Sequence, residues 1–183
     1  MKTIIFANPN PKSFTYAIKD SISTFLTNNK EKFETLDLYS KDEYKIIGGY
    51  TNNSIMEIQF KISKSNELIF IHPLYWINMP AIMKNFFEQI FTEGFTYNYV
   101  GENRDFVPLL ENIKAHVIIT GNGRREEYED FNGRTDFEIV WADMLQASGI
   151  TPVIIEYIGG MDRMTDSERK NILESFSLHG KII

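Results

Sequence analysis

Short runs of β-branched and aromatic residues alternate along this chain with stretches whose apolar positions recur every three or four residues. The runs TIIFA (3–7), FETLDLY (33–39), ELIFIHP (67–73), KAHVIIT (114–120) and TPVIIEYIGG (151–160) read as five strands. Between them lie amphipathic helices. The first is expected over 13–28, with Phe14, Ala17, Ile18, Ile22, Phe25 and Leu26 on one face. The second opens on Ser54-Ile55-Met56-Glu57, an S-x-x-E capping box, and ends before Asn66. The third starts at Pro80, which suits a first helical position, and carries Ile82, Met83, Phe86, Phe87, Ile90 and Phe91. Two further boxes, Thr135-Asp136-Phe137-Glu138 and Thr165-Asp166-Ser167-Glu168, open the last helices. The first of these helices buries Phe137, Val140, Trp141, Met144 and Leu145. The connections include a polar loop around Gly48-Gly49, a long aromatic loop over 94–108 and a polar loop over 121–133.

Strand and helix alternate throughout, and the strands are continuously apolar rather than two-faced. That pattern predicts an α/β three-layer sandwich: a five-stranded parallel sheet with helices on both faces. Right-handed crossovers favour the strand order 2-1-3-4-5, with a ligand crevice where the first and third strands part. The whole chain, 1–183, reads as one domain without internal repeats.

Composition narrows the function. The formal net charge of −6 argues against nucleic acid or an anionic membrane as the main partner. The one dense basic pair, Arg124-Arg125, runs into Glu126-Glu127 and reads as a solvated mixed-charge loop. The absence of cysteine excludes disulfides, thiolate metal sites and cysteine nucleophiles. His72, His116 and His179 lack metal-ligand spacing and read as structural, so no metal is expected. The apolar start is interrupted too early for a signal peptide and no stretch is long enough to span a bilayer, which points to a cytoplasmic protein.

In the expected topology three loops meet at one edge of the sheet: 8–15 (NPNPKSFT), 73–80 (PLYWINMP) and 120–123 (TGNG). The first is a strand-to-helix turn whose leading amides favour an anion, with Lys12, Ser13 and Thr15 as further donors beside Asn8 and Phe14. The second, through Pro73, Leu74, Tyr75, Trp76 and Ile77, offers successive amides and two rings to flank a planar group. In the third, Thr120-Gly121-Asn122-Gly123, the glycines let main chain approach a ligand edge. A phosphate cradle beside a slot for a flat ring suits a flavin. Neither a glycine-rich dinucleotide fingerprint nor a P-loop is present.

The segment HPLYWINMPAIMKNFFEQIFTEGFTY resembles the flavodoxin-like NAD(P)H:quinone oxidoreductases, whose pattern is P-L-x-W-x-x-x-P-A-x-x-K-x-x-x-D/E-x-x-F followed by G-F-x-Y. Pro73, Leu74, Trp76, Pro80, Ala81, Lys84, Glu88, Phe91 and Gly94-Phe95-Thr96-Tyr97 match it, and Lys12-Ser13-Phe14-Thr15 resembles the family's phosphate loop. The group includes bacterial modulator-of-drug-activity and potassium-efflux ancillary proteins. The resemblance implies a homodimer holding FMN, with FAD as the alternative. Hydride from NADPH or NADH would pass by a ping-pong route to a quinone, nitro or azo acceptor. It also implies a catalytic role for Tyr128, although the histidine that follows this tyrosine in relatives is missing and Asn8 replaces another. Arg163 reads as a surface charge. The competing expectation is a flavin-binding regulatory subunit of a membrane transporter.

Overall fold

The computed structural model describes residues 1–46 and 48–181. Five parallel strands, β1 (Lys2–Phe6), β2 (Phe33–Asp37), β3 (Glu67–Pro73), β6 (Lys114–Thr120) and β7 (Val153–Ile158), pair in the order β2-β1-β3-β6-β7. With the two additional strands set aside, this is the expected 2-1-3-4-5. Helix α1 (Phe14–Asn28) and helix α6 (Asp166–His179) pack together on one face. There Ile18, Ile22, Leu26 and Phe176 meet Ile4, Phe6, Ile69, Ile71 and Ile118. The other face carries α3 (Asn52–Ser63), α4 (Ala81–Ile90) and α5 (Asp136–Ala147) over Ile5, Phe70, Val117 and Ile119. A one-turn helix, α2 (Asp42–Lys45), interrupts the polar loop after β2.

Three expectations are corrected. The cap of α3 is Thr51, whose hydroxyl accepts from the Ser54 amide at 3.2 Å. Ser54 instead donates to Glu43, and Glu57 pairs with Lys61, because a competent capping residue already stands three positions upstream. Pro80 is the cap residue itself, one place before α4. The aromatic loop is a hairpin, β4 (Tyr97–Val100) with β5 (Asp105–Pro108). Tyr97, Tyr99 and Phe106 pack ring against ring across it, and such cross-strand pairs stabilise a ribbon that lies outside the main sheet.

The wide stripe on α4 is taken up by the core. Ile82, Met83, Phe86, Phe87 and Ile90 are buried, Phe91 packs against them, and the Phe87 ring contacts both Phe70 and Trp141. Val140 on α5 is exposed, whereas Phe137, Trp141 and Leu145 are buried.

His72 is enclosed on this same face, its ring stacked on Trp141 with centroids 5.3 Å apart. Burial pushes its pKa down from 6.5 to about 4, against the opposing pull of the Pro73 carbonyl 2.9 Å from Nδ1. The ring is therefore neutral near pH 7, and because a carbonyl can only accept, Nδ1 carries the proton. The unfolded chain protonates His72 near pH 6.5 and the folded one near 4, so the stability tied to its neutral form is complete above 6.5 and lost as pH falls towards 4. The loss should approach about 3 kcal/mol. Urea unfolding from pH 7 to pH 4 is expected to show this slope in the wild type and to lack it in His72→Phe.

Candidate functional site

At the sheet's C-terminal edge the register aligns Phe6 with Ile71 and Pro73 with Thr120. The Leu74 amide continues the ladder to the Thr120 carbonyl at 2.7 Å. The Thr120 hydroxyl meets that of Thr15 at 2.8 Å, tying the first turn of α1 to the end of β6. Around this junction lies a cavity of about 390 Å³ lined by Ser13, Phe14, Thr15, Pro73, Leu74, Tyr75, Thr120, Gly121, Asn122, Tyr128 and Met161. A second, about 580 Å³, shares Leu74, Tyr75 and Tyr128 with it and adds Trp76 and Ile77. The two compartments therefore meet at a common wall.

The loop 8–13 is organised by its own side chains. Asn8 Oδ1 accepts from the Asn10 amide and Asn10 Oδ1 from the Lys12 amide, both at 2.9 Å. Ser13 caps α1 by accepting from the Tyr16 amide. Asn8 is thus buried and engaged in shaping the turn, and Lys12 stands exposed; neither lines either of these two compartments. Phe14 and Thr15 lead the helix, and among the described residues their amides have no acceptor in the chain.

In the loop after β3, the Tyr75 amide donates to the Asn78 carbonyl at 2.9 Å, and the Asn78 amide to the Tyr75 carbonyl at 3.0 Å. Trp76 and Ile77 form the tip, at φ 50° and 61°. Left-handed backbone is unfavourable for large and β-branched side chains, so this tip holds local strain. The Trp76 ring is fully exposed.

The glycines of the third loop make room for the protein's own tyrosines. A Cβ on Gly121 would collide with the Tyr157 hydroxyl, and one on Gly123 with that of Tyr128. Tyr157 Oη donates to the Gly123 carbonyl at 2.8 Å, which also accepts from the Gly160 amide. The Gly121 carbonyl accepts from Met161 and the Thr120 carbonyl from Leu74. The Thr120, Gly121 and Gly123 carbonyls are thus engaged by the protein itself, while the amides of Asn122 and Gly123 have no chain acceptor among the described residues, as is true of Trp76 and Ile77. Of these, Trp76, Ile77 and Asn122 line the two compartments, as do Phe14 and Thr15.

Tyr128 stands on the wall common to both compartments, its ring edge-on to Phe137 and Tyr157. Burial raises the Tyr157 pKa, with the Tyr128 hydroxyl adding to the effect, so Tyr157 stays protonated. Sequence reasoning missed Tyr157, Met161 and Arg169. Arg169, on α6, donates to the Met161 carbonyl at 2.7 Å, and its guanidinium lies 5.8 Å from the Phe14 ring centroid. It therefore brings a positive charge behind two residues of the cavity wall, through a packing of α6 on α1 that no local motif announces. Arg163 is at the surface, facing Glu127 and Asp162, as expected. Among the described residues no group of three or more His, Asp or Glu side chains could hold a metal, and no helix is long and apolar enough to cross a membrane.

Comparison with known proteins agrees with this geometry. The family model described as flavodoxin-like fold matches residues 2–177. An uncharacterized NAD(P)H oxidoreductase of Haemophilus influenzae is 28% identical over 182 residues, covering 93% of this chain and 89% of its own. An FMN-dependent NADH:quinone oxidoreductase of Clostridium perfringens is also 28% identical, over 82% of this chain and 90% of its own. The solved NAD(P)H:quinone oxidoreductase from Methanothermobacter marburgensis superposes with a TM-score of 0.74 at 27% identity, covering 98% and 94% of the two chains. With the match spanning almost every residue from β1 to α6, the chain belongs to the flavodoxin-like fold family.

Proposed function

We propose that this protein is an FMN-dependent NAD(P)H oxidoreductase that delivers two electrons to a quinone, nitro or azo acceptor. The observation that carries the reading is the pair of adjoining compartments at the β1/β3 crevice, lined by donors that find no acceptor within the chain.

The residues fit the flavin. The amides of Phe14 and Thr15, with the Ser13 hydroxyl, would hold the phosphate at the positive end of α1. The Arg169 guanidinium adds charge that a compact phosphate loop alone lacks. Tyr75 and Trp76 would flank the ring system, and the amides of Trp76, Ile77, Asn122 and Gly123 would bind its carbonyl oxygens and ring nitrogens. When bound, FMN would supply the hydride chemistry. The protein's part is to orient donors towards the edge of the ring where charge accumulates on reduction, a preorganised electrostatic contribution. Tyr128 borders the outer compartment, where the nicotinamide and the acceptor would sit in turn, consistent with a ping-pong order.

FMN is preferred over FAD because the Clostridium perfringens relative is an FMN-dependent enzyme. The exposed Tyr99, Val100, Phe106 and Leu109 of the hairpin and the segment after it form the face through which two copies would pair.

Freshly purified protein is expected to be yellow, to release FMN on denaturation, and to lose its absorbance when titrated anaerobically with NADPH or NADH. Colourless protein that leaves the fluorescence of added FMN unchanged would rule the reading out. Trp76→Ala should lower flavin retention or turnover about tenfold while shifting Tm by no more than about 2 °C, because the side chain is fully exposed. Arg169→Gln should weaken FMN about tenfold but riboflavin, which lacks the phosphate, far less; both are read by fluorescence quenching.

A further inference from the structure

Two identical-looking capping motifs in this chain do different things. At α6 the box closes fully: Thr165 accepts from the Glu168 amide, and the Glu168 carboxylate returns to the Thr165 amide at 2.7 Å. At α5 Thr135 accepts from the Glu138 amide in the same way, but the Glu138 carboxylate turns outward to Arg125. Arg125 Nε reaches Glu138 Oε1 at 3.0 Å and Nη2 reaches Oε2 at 2.7 Å, a two-pronged fork. The same guanidinium also contacts Glu129 and donates to the Gly133 carbonyl at 3.1 Å. The expected solvated pair Arg124-Arg125 is therefore half staple.

The stapled segment carries Tyr128. A single 3₁₀ turn, Arg125–Glu127, is followed directly by this tyrosine, whose amide donates to the Arg125 carbonyl at 3.0 Å. Its ring rests against Phe137, the neighbour of Glu138 on α5. Arg125 and Tyr128 thus reach the same turn of α5, one by charge and the other by ring packing. We propose that Arg125 is a positioning residue that holds Tyr128 as the wall between the inner and outer compartments and so sets how tightly an acceptor is held. This deepens the flavin reading and rests on it for its kinetic consequence, though not for the staple itself.

Hydrogen exchange on the protein as purified tests the staple without reference to catalysis. Arg125→Gln should speed exchange over 126–131 about tenfold or more and leave α5 beyond residue 140 unchanged. Arg125→Lys, which keeps the charge but loses the fork, should fall between. With a small benzoquinone as acceptor, Arg125→Gln should raise KM about tenfold with kcat within about twofold, and the same change in a Tyr128→Ala background should add less than about twofold. Unchanged exchange would overturn the proposal whatever the kinetics. So would a KM shift that adds in full on top of Tyr128→Ala, or a wild-type KM despite faster exchange. If the wild type turns over no acceptor, the flavin reading fails, and the exchange comparison then decides the staple by itself.

Discussion

Unstaggered parallel pairing of β1, β3 and β6 is the constraint on which the site depends. Lys2 stands opposite Glu67, and Glu67 opposite Lys114, so three strands start level. Because β3 and β6 end together at Pro73 and Thr120, the loops after them leave side by side. The loop after β1 joins them as that strand gives out at Phe6 and its helix turns back over the sheet. A slip of one residue would carry Phe70 and His72 to the wrong face and pull Thr120 away from Thr15, so the core and the crevice are specified by the same register. The Thr15–Thr120 hydrogen bond is where that register reaches the first turn of α1.

Overall charge and local charge point in opposite directions here. The chain is acidic, with a net charge of −6, yet its cleft is bordered by main-chain amides without a chain acceptor, and one guanidinium stands behind its wall. The reason is geometric. The carbonyls of Thr120, Gly121 and Gly123 are taken by Leu74, Met161, Gly160 and Tyr157, while among the described residues the amides of Asn122 and Gly123 have no acceptor in the chain. Surface carboxylates in water are screened within about 8–10 Å, whereas aligned dipoles beside a partly enclosed ligand are not, so the local pattern governs what binds.

Tyrosine and glycine are matched pairs in this architecture. Tyr157, on the edge strand, reaches beneath the loop into space that any side chain at 121 would occupy, and Tyr128 does the same at 123. The glycines therefore serve the close approach of the protein to itself. That filling is what gives a two-glycine loop a single shape.

Most of the fold was legible in the residues. Continuous apolar runs against helical stripes established the five strands and the helices over them, and the capping residues Ser13, Thr135 and Thr165 marked three helix starts, because those signals are local and each lies within one turn or one strand. The three loops of the site were legible too, since strand order alone determines which loop follows which edge. What the tertiary structure decided was where each side chain found its partner. The hairpin, the role of the two glycines, Arg169 behind Phe14 and the diversion of Glu138 to Arg125 all join positions far apart in the fold or across a loop. At α5 and α6 the same S/T-x-x-E spelling closes one box and leaves the other half open, because a guanidinium lies within reach of Glu138. Local sequence specifies which donors and acceptors exist; competition among neighbours in space selects which of them meet.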